Sequence, residues 1–131
     1  MARNRNERRQ NKTRFAGIPH HIMNCENYKH IGAWETRLLL ELARQYNGSN
    51  NGDLSAPWSQ LKNRGWKSKG TLNKAIKNLL RFGMIDRTRQ GGKHKCSLYS
   101  LTWENIDECN GKLEVAPTRK ASNRWKIAPE N

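Results

Sequence analysis

A mainly α fold carrying one small β-hairpin is what this 131-residue sequence predicts, and three observations predict it. Between about Lys69 and Phe82, the residues Leu72, Ile76, Leu79 and Leu80 fall within about 100° of arc at helical spacing, with Ala75 and Phe82 widening the stripe. From about Ala33 to Tyr46, a second apolar face collects Trp34, Leu38, Leu39, Leu42, Ala43 and Tyr46. After Gly83, Met84–Arg89 and Cys96–Trp103 both alternate as strands do, and Gln90-Gly91-Gly92-Lys93 between them reads as a turn in which paired glycines permit positive φ.

The remaining elements follow in order. Residues 1–14, MARNRNERRQNKTR, have no apolar residue after Ala2 and read as a basic arm that orders only on a partner. Ile18-Pro19-His20-His21-Ile22-Met23 suits one helical turn started by the proline. The helix over 33–46 ends in Asn47-Gly48, and the polar turn SNNGD carries the chain to Asp53. Leu54-Ser55 fits a brief strand. Ser55 is placed to cap a helix over 56–64, with Pro57 in its first turn and Trp58 and Leu61 buried. Gly65 ends that helix, Trp66 plugs the corner, and Ser68 caps the next one. Two helices joined by a tight glycine-containing turn form a helix-turn-helix, the second being the one that enters a groove. In the second strand, Cys96, Leu98 and Ser100 compete with Tyr99, Leu101 and Trp103 for the inward face, so the register stays open. Residues 15–103 make the expected domain and 104–131 a partly irregular extension, in which Trp125 is a docking point.

Charge narrows the function. The net charge is +14 and only 34% of residues are apolar, enough for a core of about 80 to 90 residues. Residues 1–14 carry +5 and residues 62–95 carry +10, whereas 15–61 sum to −1 and 96–131 to zero. On the helix over 69–82, the arc opposite the apolar stripe holds Gly70, Asn73, Lys74, Lys77, Asn78 and Arg81 and no acid. An ordinary solvated face mixes both signs, so a one-sign face points to a polyanion, double-stranded nucleic acid above all. No apolar run approaches a membrane span, and the basic start lacks the apolar stretch of a signal peptide. Cys25, Cys96 and Cys109 are odd in number and far apart, which fits free thiols in a reducing cytoplasm. His20, His21 and Cys25 lie close together, but a metal site would have to recruit His30 or Cys109, so no metal is expected. No paired carboxylates, GxxxxGK[ST] or GxGxxG occur, and neither catalytic residues nor a cofactor are expected.

Helix, short strand, helix, turn, helix and basic-tipped hairpin, carried by Leu54, Trp58, Leu61, Gly65, Ser68, Leu72, Ile76, Leu79, Gly83, Ile85 and Gly91-Gly92, resemble the winged helix-turn-helix family. The runs ARQYNGSNNGDLS and SKGTLNKAIKNLLRFGMI are similar to small winged-helix proteins of bacteriophages and mobile elements, over about residues 31 to 103. That resemblance implies double-stranded DNA binding, often by a dimer, with roles in transcription regulation or replication initiation. It places the helix from Lys69 in the major groove, with Gly70, Thr71, Asn73, Lys74 and Lys77 at the bases. Lys62, Arg64, Lys67, Ser68, Lys69 and Arg81 would meet the DNA backbone, and Arg89, Gln90, Lys93, His94 and Lys95 would form the wing. Arg3, Arg5, Arg8, Arg9, Lys12 and Arg14 of the arm would grip the minor groove or nearby phosphates. The alternatives are an RNA-binding protein acting through that arm, which also looks like the arginine-rich peptides of phage antitermination proteins, and a replication or protein-interaction adaptor.

Overall fold

A computed structural model describes residues 13–129. Among these residues the chain forms five helices and one antiparallel hairpin. In order they are α1 (His20–Met23), α2 (Glu26–Lys29), α3 (Ala33–Gln45), α4 (Trp58–Leu61), α5 (Lys69–Arg81), β1 (Ile85–Arg89) and β2 (Leu98–Leu101). Two 3-10 turns follow, Cys109–Gly111 and Arg124–Lys126.

The two long helices form where the apolar spacing puts them, and they pack on each other. Leu38, Leu39 and Leu42 of α3 and Leu79 of α5 are fully buried, with Leu72 and Ala75 nearly so. Ile22, Leu54, Leu61, Trp66, Met84, Ile85 and Leu101 complete the same core. Each large apolar side chain removed from water contributes about 1.5–3 kcal/mol. The α5 boundaries are set locally. The Ser68 hydroxyl accepts the Thr71 amide at 3.2 Å, and Gly83 leaves the helix with φ of +70°.

Several local expectations are corrected. Ser55 does not cap α4, whose preceding residue is Pro57 and which has no side-chain cap. Instead Gln45 clasps the Ser55 backbone, its Oε1 accepting from the amide at 2.9 Å and its Nε2 donating to the carbonyl at 2.8 Å. That clasp keeps the chain extended until Pro57, so the helix spans four residues rather than the nine of 56–64. Trp34 is not a core residue. It stays 38% exposed in the first turn of α3, its ring centroid 4.9 Å from that of the buried Trp66.

The hairpin turn also sits further along than the glycines suggest. Gly92 pairs with Lys95, so Lys93 and His94 make the tip, and His94 carries the positive φ of +67°. Gly91 serves close approach instead: a Cβ there would come within 2.5 Å of the Ser97 amide nitrogen.

The open question of which face of β2 is inward has a physical answer. All four residues, Leu98–Leu101, are buried. β1 flanks β2 on one edge, with Ile85 opposite Leu101, and Leu54 pairs with Tyr99 on the other. Asn51, expected in the polar turn SNNGD, is fully buried. Its amide nitrogen donates to the carbonyls of Leu101, Glu104 and Asn105 at 2.9–3.2 Å, and its Oδ1 accepts the Leu101 amide at 2.8 Å.

The chain after Trp103 is pinned rather than loose. Trp125 is half-buried against the core, with its ring 5.4 Å from His21. No helix among the described residues is long and apolar enough to cross a membrane.

Candidate nucleic-acid interface

The candidate interface begins at the outward face of α5. Packing against α3 fixes the rotation of the helix, because Leu72, Ala75 and Leu79 must turn inward. Helical geometry then leaves Gly70, Asn73, Lys74 and Lys77 outside, and all four are exposed. Thr71 is half-buried at the rim. Together with Lys74 it lines a cavity of about 320 Å³ whose other walls are Gly32, Ala33, Trp34 and Glu35.

One member of the predicted outward arc turns elsewhere. Asn78 donates through Nδ2 to Glu35 Oε1 at 2.7 Å. Glu35 is only 8% exposed, and a buried carboxylate needs such a donor. Asn78 therefore ties α5 to α3 and leaves the outward face to the others.

Ion pairing divides the cations into two sets. Among the described residues the pairs are Lys29–Glu26, Arg44–Glu41, Arg64–Glu41, Lys112–Asp53 and Arg124–Asp86. Lys62, Lys67, Lys69, Lys74, Lys77 and Arg81 have exposed side chains and enter none of these pairs. Arg64, expected at the DNA backbone, is exposed and has an acid beside it. Its guanidinium lies 2.7 Å from Glu41, and the hydrogen bond and charge of that carboxylate push its pKa further up. Ser68 is exposed, and its hydroxyl accepts the Thr71 amide as the α5 cap while keeping its own proton to donate.

Gly70 carries a second signal. A Cβ at that position would touch nothing closer than the Ser68 hydroxyl, at 3.4 Å. No packing among the described residues requires the missing side chain. Glycine is still a poorer helix former than alanine, by about 0.5–1 kcal/mol in a helix interior and less at the second position that Gly70 holds in α5.

The hairpin supplies the second surface, and it too splits. Lys93, His94 and Lys95 are exposed at the tip. Arg89 and Gln90, also expected in the wing, make contacts within the chain. Arg89 donates to the Cys96 carbonyl at 2.8 Å across the hairpin. Gln90 accepts from Arg87 through Oε1 at 3.2 Å, and its amide donates to Glu114. Sequence reasoning overlooked Arg87, which is exposed on β1 with its guanidinium 5.7 Å from the centre of the Tyr99 ring. Its position in the alternating strand was the available signal. Arg14 is exposed, whereas Arg3, Arg5, Arg8, Arg9 and Lys12 lie outside the described residues.

The histidines and cysteines do other work. Cys25 Sγ accepts the Tyr28 amide at 3.4 Å and caps α2. His30 stacks on Phe82 at 6.1 Å. Burial, with Asp53 and Asp107 nearby, raises the Cys109 thiol pKa. Among the described residues no group of three His, Cys, Asp or Glu side chains could hold a metal ion. No protein family, no curated protein and no solved structure matches the chain.

Proposed function

We infer that this protein binds double-stranded DNA as a winged helix-turn-helix, with α5 in the major groove and the hairpin as the wing. Its role in this reading is sequence-specific regulation of transcription in a phage or mobile element. One observation carries it: the exposed face of α5 and the hairpin tip bear cations that no acid of the described chain neutralises. Unpaired cations on two neighbouring elements favour a polyphosphate partner. The asymmetry within α5 supports a groove. Its outer face offers a base-pairing amide, Asn73, and a glycine with no packing purpose among the described residues, which lets a duplex approach the helix backbone.

The roles then divide. Asn73 reads a base edge, because a carboxamide pairs bidentately with adenine. Lys74 and Lys77 reach guanine or phosphate. Lys62, Lys67, Lys69 and Arg81 fix register on the backbone, and Lys93 and Lys95 track phosphates or enter the minor groove.

Selection of bound sequences from a random duplex pool tests the reading. An enriched consensus supports it, and a palindromic consensus adds two-fold assembly. Failure to enrich any sequence, with no salt-dependent duplex binding, would sink it. Deleting residues 1–14 separates the RNA alternative. Duplex binding should weaken and stay selective, whereas an RNA-binding arm would take most of the binding with it.

A further inference from the structure

Residues 116–129 contain Arg119, Lys120, Arg124 and Lys126 and no acid. This strap is fastened to the body at intervals. The Thr118 amide donates to the Ile106 carbonyl at 2.9 Å, and its hydroxyl accepts the Ile106 amide at 2.9 Å. Further along, the Asn123 amide donates to the Thr102 carbonyl at 2.9 Å, and Arg124 donates to the Leu80 carbonyl at 3.0 Å. Asn27 Nδ2 then holds the carbonyls of Trp125 and Ile127 at 3.0 and 2.7 Å. Arg119 and Lys120 lie between these anchors, and Lys126 holds its ammonium 5.2 Å from the centre of the Trp125 ring; all three are exposed and in none of the ion pairs among the described residues.

Two features join the strap to the α5 surface. Asp86 is the sole acid between residues 62 and 95. It is covered by Arg124, in an ion pair, and by the Ser122 hydroxyl at 2.9 Å. The strap thus neutralises the one negative charge in the basic block. Gly70, Lys74, Lys77 and Arg81, spaced four, three and four apart, form one line about 16 Å long on α5. At its end Arg81 lines a cavity of about 390 Å³ with Arg124, Ile127, Ala128 and Pro129. The cationic line of α5 therefore ends against the strap, at Arg124.

We propose that residues 116–129 are a second DNA-backbone-binding element, gripping the phosphates that flank the base pairs under α5. The proposal rests on the duplex-binding reading and extends its footprint. Because contacts within the chain already order the strap's backbone, binding has only its side chains left to order. Three of them can displace up to three counterions, a change of about 2–3 in the slope of log K against log salt.

The test uses the full chain and the duplex selected by the wild type. A variant with Arg119→Ala, Lys120→Ala and Lys126→Ala is compared with a control carrying Lys29→Ala, Arg44→Ala and Lys112→Ala. The control removes the same net charge from residues paired elsewhere. The strap variant should flatten the salt slope by about 2–3, lose hydroxyl-radical protection at one flank, and keep the base preference and thermal midpoint. The control should keep the wild-type slope and footprint. Equal effects from both variants, or no effect from the strap variant on a duplex the wild type binds, would overturn the strap and leave the proposed function standing. Absence of wild-type duplex binding would overturn both. Single-stranded RNA held through the same three cations would overturn the assignment to duplex backbone.

Discussion

Gly70 and Asn73 sit one helical turn apart and make opposite demands on the chain. Gly70→Ala adds a methyl group in ordinary contact with Ser68, with no positive φ to strain. It should raise unfolding free energy by up to about 1 kcal/mol, read by urea titration. The same methyl group should weaken duplex binding by holding α5 off the bases. A substitution that stabilises the fold and damages binding is the mark of a residue kept for a partner, and tighter binding would contradict the groove assignment. Asn73→Ala should leave stability nearly unchanged and cost about 1–3 kcal/mol on the selected site, relaxing choice at one base pair. An unaltered base preference would remove Asn73 from the readout. Individual side chains were also where the sequence misled most. Arg64, Asn78 and Arg89 look as free as Lys74 in a helical or alternating pattern. They are bound respectively to Glu41, Glu35 and the Cys96 carbonyl. Only Arg89 has its partner nearby; those of Arg64 and Asn78 lie 23 and 43 residues away, beyond the reach of local spacing.

At the scale of elements, periodicity carried more. α3 and α5 were legible because burial on one side imposes a helical period on Leu38, Leu42, Leu72 and Leu79, and because Ser68 and Gly83 mark the ends of α5 locally. Ser68→Ala should therefore cost about 1 kcal/mol through the lost cap, measured by denaturant midpoint. An unchanged midpoint would show that tertiary packing alone holds the first turn of α5. The inward face of β2 was illegible for the complementary reason. A strand buried on both faces has no polar side to set its register, and Asn51, which bonds its Leu101 end, is 50 residues away in sequence. The displaced hairpin tip follows from Gly91, which is small to admit Ser97 and not to bend the chain. With Lys93 and Lys95 exposed there, the pair Lys93→Ala and Lys95→Ala should weaken binding to all duplexes alike and flatten the salt slope by about 2. A slope equal to that of the wild type would remove the hairpin from the backbone contacts.

For the molecule as a whole, the charge segregation seen along the sequence persists in three dimensions. Every ion pair among the described residues leaves the α5 face and the hairpin tip untouched. If six to eight phosphates are neutralised, log K should fall against log salt with a slope of roughly −5 to −7. A slope near zero with intact affinity would point to a protein partner, as the adaptor alternative requires. The ends of the chain were least legible, since the segment after Trp103 has weak local propensity and is ordered by contacts with Thr102, Asp86 and Leu80. Arg124 adds a second donor to the Leu80 carbonyl at the end of α5, which already accepts the Gly83 amide, and Phe82 and the strap share Asn27 as donor. Cutting the chain before Asn123 would therefore strip Asn27 of two of its three carbonyl acceptors and reopen the corner where α5 ends.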